Sequence, residues 1–206
     1  MNLREGSTRR LTIVGCVMLV GCGAGSAGTA KPTPTPTPTV AITAPTPAPT
    51  PTPANIDPKL VDLTLAEVGA GYSIRTDTVP EGGIDPWERV FKGNSKTRFG
   101  SVVSISQVTS SSTQALILDA DVVSLFRSKY PNATEFDLPA ATLNATTISL
   151  VDQGEPEIVT LWTEGSVQCE IVVVTRTPGT TANLSALAGL ASKQDGNAVA
   201  VIGPSS

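Results

Sequence analysis

Beyond Asn55 the apolar and polar positions follow two rhythms, one of period two and one near 3.6, and the switches between them mark the elements. Leu63 to Gly69 reads as one or two helical turns, with Thr64 as N-cap and Gly69 as stop. Tyr72 to Val79 and Trp87 to Lys92 follow as short strands, divided by the turn residues Pro80, Glu81, Gly82 and Gly83. Phe99 to Thr109 is a longer strand rich in Val, Ile and Ser. Thr113 to Tyr130 changes to the helical period, with Ala115, Leu118, Val122, Leu125 and Phe126 on one stripe and Asp121, Ser124 and Arg127 off it. Pro131 ends it. Thr146 to Val151, Glu157 to Thr163 and Ser166 to Arg176 are three further strands, the last pair joined by a tight turn at Glu164 and Gly165. A helix over Leu184 to Gln194 closes the series, and Ala198 to Ile202 reads as a terminal strand or a frayed tail.

Successive strands joined by short turns favour antiparallel pairing. The predicted fold is therefore α+β, a single domain over residues 56–206 with a mainly antiparallel sheet of about six strands packed by two main helices on one or both faces. That length suffices for one core.

Before this domain neither rhythm is present. Arg4, Arg9 and Arg10 precede the uncharged run Leu11 to Val20, a positive n-region and a short h-region. As a helix the run spans about 15 Å, roughly half of a hydrocarbon core. It ends in Leu19, Val20, Gly21 and Cys22, a quartet that resembles the lipobox of bacterial lipoprotein signal peptides. The resemblance implies that the Cys22 thiol accepts diacylglycerol, that the bond between Gly21 and Cys22 is cut, and that the new amine is acylated. Residues 1–21 are then a signal peptide, and the mature chain is held to the cell membrane at its extracytoplasmic face. Two or three acyl chains, at ~0.8 kcal/mol per buried methylene, make that attachment effectively permanent. Three alternatives stay open: a second lipobox at Ile13, Val14, Gly15 and Cys16, with almost no h-region; an uncleaved anchor over Leu11 to Ala30; and secretion after Ala24 to Ser26.

Residues 22–55 form the expected disordered spacer, where Pro and Thr alternate on both sides of Val40, Ala41 and Ile42. Proline fixes φ and removes an amide donor, so the tract favours polyproline II, and roughly 25 residues at ~3.1 Å each reach about 75 Å. Such a stalk also suits O-linked sugars. The sequons at Asn132, Asn144 and Asn183 carry little meaning in a bacterial chain.

The opening Leu63 to Glu67 before Gly71 and Tyr72, and the turn of Trp162, Glu164 and Gly165 into a Val-rich strand, resemble uncharacterised envelope lipoproteins. The order of elements is similar to that of PsbP/Mog1-like α/β domains. This resemblance implies a fold and supplies no catalytic residue.

Composition narrows the chemistry. The chain has three cysteines and no histidine. With Cys16 and Cys22 consumed by the signal and the anchor, Cys169 is left alone, on one face with Val167, Ile171 and Val173, and reads as inert packing. The absence of histidine removes most zinc sites, triads and general bases. No Gly-x-Ser-x-Gly, Ser-x-x-Lys or phosphate-cradling glycine loop is present, and no cofactor is expected.

Residues 56–206 hold ten Lys and Arg against seventeen Asp and Glu, a net charge of −7. That argues against a nucleic-acid partner. The densest basic stretch, Arg89, Lys92, Lys96 and Arg98 beside Trp87, is the candidate anion or glycan patch, set against the commoner role of a solvated face. Asp152, Glu155 and Glu157 flank Gly154 in a hairpin loop without EF-hand spacing, so no metal is expected there. The functional expectation is a lipid-anchored envelope protein displaying a non-enzymatic binding or accessory domain, with an envelope polymer or protein as ligand. The alternatives are a glycan-active enzyme using Asp152, Glu155 and Glu157, and a purely structural surface module.

Overall fold

The computed structural model describes residues 56–79, 86–138, 143–177 and 181–203, all within one compact unit. The expected signal peptide, Cys22 and the Pro-Thr spacer lie outside the described residues. So do the turn residues Pro80, Glu81, Gly82 and Gly83.

Seven strands are described: β1 (Tyr72–Thr78), β2 (Trp87–Gly93), β3 (Phe99–Val108), β4 (Thr134–Phe136), β5 (Thr146–Asp152), β6 (Glu155–Glu164) and β7 (Val167–Thr175). They form one antiparallel sheet in the order β1-β2-β3-β7-β6-β5-β4. The helices are α1 (Leu65–Val68), α2 (Ser112–Lys129) and α3 (Thr181–Ile202), with a 3-10 turn at Pro58–Leu60. After β3 the chain crosses the sheet as α2, enters at the far edge as β4, and meanders back until β7 pairs with β3. The expected α+β architecture and antiparallel sheet are thus observed, with the two long helices as the main packing elements.

Alternation assigns the faces. Val167, Cys169, Ile171 and Val173 of β7 are buried with Phe91, Val102 and Trp162 against Leu187, Leu190, Ala191 and Ala198 of α3. Val172 joins Ile148, Leu150, Val159 and Leu161 against Val123 and Phe126 of α2. The sheet is therefore the middle of three layers. Central strands β6 and β7 carry near-continuous apolar runs because both of their faces are covered.

Three expectations need correction. A seventh strand, β4, is too short and polar to show a period of its own. The stripe of α2 runs through Ala115, Val123 and Phe126, while Leu125 is exposed, because the helix turns Val123 toward β5 and β6. The short α1 lies between Thr64 and Gly69 as expected, with a capping box in which Thr64 N donates to Glu67 Oε2 at 2.6 Å, and none of its residues is buried. Finally, α3 runs unbroken through Asp195, Gly196 and Asn197, so Ala198 to Ile202 is its last turn and not a strand. Continuing the helix keeps Ala198 fully buried in the same interface as Leu187 and Ala191.

Candidate functional site

A groove runs between α1, the turn joining β2 to β3, and α3. Its two adjoining parts, about 550 and about 360 Å³, share Ala70 and Tyr72. Small, largely exposed residues border it, Ala66, Gly69, Ala70 and Gly71 on one side and Ala186 and Gly189 of α3 on the other, and the buried Phe99 and Leu190 also line it. At Gly189 an added Cβ would meet no atom within 4 Å, so the helix wall opens directly onto the groove.

The β2–β3 turn is rigidly built. Gly71 holds φ +89°, and Asn94 N donates to its carbonyl at 3.0 Å. Lys96 N donates to Asn94 Oδ1 at 2.8 Å, and Thr97 Oγ1 lies 2.8 Å from both Asn94 O and Phe99 O. Arg176, at the end of β7, donates to Asn94 O from the adjoining strand. Phe99 N donates to the Tyr72 hydroxyl at 3.2 Å, which fixes the ring at the groove wall. These bonds hold Lys96 and Arg98 as exposed cations on a preformed rim.

Facing them, Lys193 of α3 donates to Glu67 O at 2.6 Å. Glu67 is the sole acid lining the smaller part, and its carboxylate accepts from Thr64 N, Thr64 Oγ1 and Asn197 Nδ2, all neutral donors. Among the described residues no carboxylate pairs with Lys96, Arg98 or Lys193. In a domain of net charge −7, three cations converge on one groove with a single carboxylate among them.

No protein-family model, curated protein or solved structure matches the chain.

The geometry of the groove divides the basic stretch expected from the sequence. Lys96 and Arg98 reach the groove. Lys92 is exposed on the face of β2 opposite Trp87, Arg89 and Phe91, of which Phe91 packs in the core with α3. Arg89 is buried: its Nε donates to Asp77 Oδ1 at 2.9 Å and its Nη1 to Leu63 O at 2.8 Å. Trp87 Nε1 donates to the same Asp77 oxygen at 2.7 Å, and Lys59 lies over the Trp87 ring at 5.2 Å. Against the desolvation of partial burial, the hydrogen bonds from Trp87 and Arg89 hold the Asp77 carboxyl below its ordinary value. Arg89 and Trp87 thus fasten the segment before α1 to the sheet and offer no free charge to a ligand. Lys193 and Tyr72, which complete the groove, lie far from the basic stretch in sequence, and no local pattern marks them.

Asp152, Glu155 and Glu157 are brought together at the β5–β6 hairpin, where Gln153 and Gly154 take φ +51° and +87°. Tyr130 donates to Asp152 Oδ1 at 2.8 Å. Burial, then the charges of Asp152 and Glu155, push the Glu157 carboxyl up to about 7.

Two further acids are buried. On the α2 side of β7, burial and the neighbouring Asp119, Glu88 and Glu157 raise Glu170 to about 8. Asp62 is 1% exposed and neither of its oxygens accepts a hydrogen bond. Ser104 and Ser106 lie beside it; Ser104 Oγ accepts from Leu63 N, and Ser106 Oγ donates to Pro58 O. Burial therefore lifts the Asp62 carboxyl well above its usual range, outweighing Ser106, Arg89 and Ser104. Cys169 is fully buried beneath α3, and burial drives its thiol up, as an inert packing residue requires. Among the described residues no group of three or more His, Cys, Asp or Glu is arranged to hold a metal ion, and no helix is long and apolar enough to cross a membrane.

Proposed function

We propose that the protein is a lipid-anchored envelope protein whose domain is a non-enzymatic binding module, with the groove beside Tyr72 as its ligand site. The observation that carries the binding role is a preformed, open groove on which three cations from two separate elements, Lys96 and Arg98 of the β2–β3 turn and Lys193 of α3, converge without a carboxylate partner among the described residues. The lipobox ending in Cys22 supports the tether, and the Pro-Thr tract supports display at a distance from the bilayer. In this reading the partners are the membrane, through the lipidated N-terminus, and an envelope polymer or protein; no nucleic acid and no cofactor take part.

The tether is tested by intact mass of the membrane-fraction protein from a bacterial host. Wild type should give a species beginning at Cys22 with added acyl mass, and Cys22→Ala should remove that mass. An unmodified wild-type product would refute the anchor.

A second reading is favoured by one observation, the grouping of Asp152, Glu155 and Glu157 with Glu157 raised to about 7, near the range of a general acid. A glycan-active enzyme built on those acids would lose turnover in Glu157→Gln. Saturable hydrolysis of an envelope glycan abolished by that substitution would replace the binding-module reading.

A further inference from the structure

We infer that the groove takes a linear acidic polysaccharide, with ring carboxylates on Arg98, Lys96 and Lys193 and a sugar face against Tyr72. The inference rests on the reading of the domain as a binding module and adds the class of ligand.

Four observations converge on it. The cations are not spent internally, since Glu67 is satisfied by neutral donors and Lys193 contacts a backbone carbonyl instead of a carboxylate. A guanidinium such as that of Arg98 matches a carboxylate bidentately, while the ammonium groups of Lys96 and Lys193 act as point charges that tolerate varied spacing. The groove is open to solvent and its two parts share Ala70 and Tyr72, so it suits an extended chain better than an enclosed small molecule. The exposed small residues beside Tyr72, Ala70 and Gly71, let the flat face of a sugar ring approach the backbone next to an aromatic side chain.

Charge outside the groove favours the same ligand in the same place. The remainder of the domain carries a net negative charge that disfavours a polyanion, which favours this rim. Arg176, held at Asn94 O, adds a fourth positive charge behind the β2–β3 turn.

The test uses the full chain, extracted from host membranes in detergent, titrated calorimetrically with oligogalacturonate, with neutral dextran oligomers and with a glycerol-phosphate polymer. Oligogalacturonate should bind saturably, more weakly as salt is raised. The double variant Lys96→Ala/Arg98→Ala should weaken it by about tenfold or more, equivalent to about 1.4 kcal/mol. Gly189→Glu should do the same by filling and recharging the groove, because a Cβ there meets no atom within 4 Å and the fold need not shift. Lys92→Ala, on the other face of β2, should leave affinity unchanged. Circular dichroism of each variant separates lost binding from lost folding.

Unchanged affinity in both groove variants would overturn the inference, and so would equal binding of dextran. Preferred binding of the glycerol-phosphate polymer would overturn the polysaccharide assignment. A ligand that still binds after the groove is blocked would leave the binding-module reading standing without this site. Failure of the acyl-mass measurement would strike the tether alone.

Discussion

Gly93 has no room for a side chain: a Cβ there would stand 2.2 Å from Thr97 Oγ1 and 2.4 Å from Phe99 O. The second of these is backbone within the β2–β3 hairpin, which cannot move without losing the Thr97 bridge. Gly93→Ala should therefore destabilise the domain by about 1–3 kcal/mol, as overpacking does, measured by urea denaturation. The groove should loosen with it. Gly154→Ala is the contrasting case, since the space around it is empty and only its positive φ opposes a Cβ. Arg89 teaches a different lesson at this scale. In sequence it reads as one of four clustered cations, yet Trp87, Arg89 and Phe91 share one parity and Lys92 the other. The alternation held the information that Arg89 shares a face with a core phenylalanine. What it could not hold was Asp77, the partner that makes a buried guanidinium tolerable.

Among the elements, the two long helices show where pattern reading succeeds and where packing takes over. Their existence and approximate placement were legible because each carries enough apolar positions at helical spacing. Their details were set by the sheet. In α2, Leu116, Ile117 and Leu125 are exposed while Val123 is buried, so the stripe is rotated from the one that hydrophobicity alone suggests. In α3 the helix expected to end at Gln194 is carried on through Asp195, Gly196 and Asn197, because the interface with β6 and β7 continues to Ala198. Leu187→Ala, which opens a cavity at a fully buried position of α3, should cost about 2–5 kcal/mol. Leu116→Ala, at a position 59% exposed, should stay within about 0.5 kcal/mol. Equal losses in chemical denaturation would contradict the assignment of the faces.

For the whole molecule, the buried acids set the dependence of stability on pH. Asp62, Glu157 and Glu170 all have carboxyls raised above their ordinary values, the last two to about 7 and about 8. The folded state therefore holds more protons than the unfolded state above the ordinary carboxylate range, and stability falls as pH rises. Their contribution is fully present below the unfolded values, near 4.5 for Glu157 and Glu170, and is lost as pH rises through about 7 and about 8. Asp77 acts in the opposite sense, with stability present above its unfolded value and lost as pH falls through its lowered one. Thermal melts from pH 4.5 to 9 should thus show a falling midpoint, and Glu170→Gln should flatten the upper part of the curve. A midpoint that rises toward pH 8 would show that Glu170 is not held protonated in the fold.

The sequence by itself determined the class of fold, the period of each long element, the solitary Cys169 on an apolar face, and the absence of histidine-based chemistry. These follow from side chains a few residues apart, whose relation is fixed by the geometry of a helix or a strand. Only the tertiary structure decided that Arg89 turns inward, that Asp152, Glu155 and Glu157 gather at a hairpin, and that Lys193 comes to face Lys96 and Arg98 across a groove. Those relations join residues up to about a hundred positions apart, and it is burial of one shared sheet, not any local preference, that brings them together.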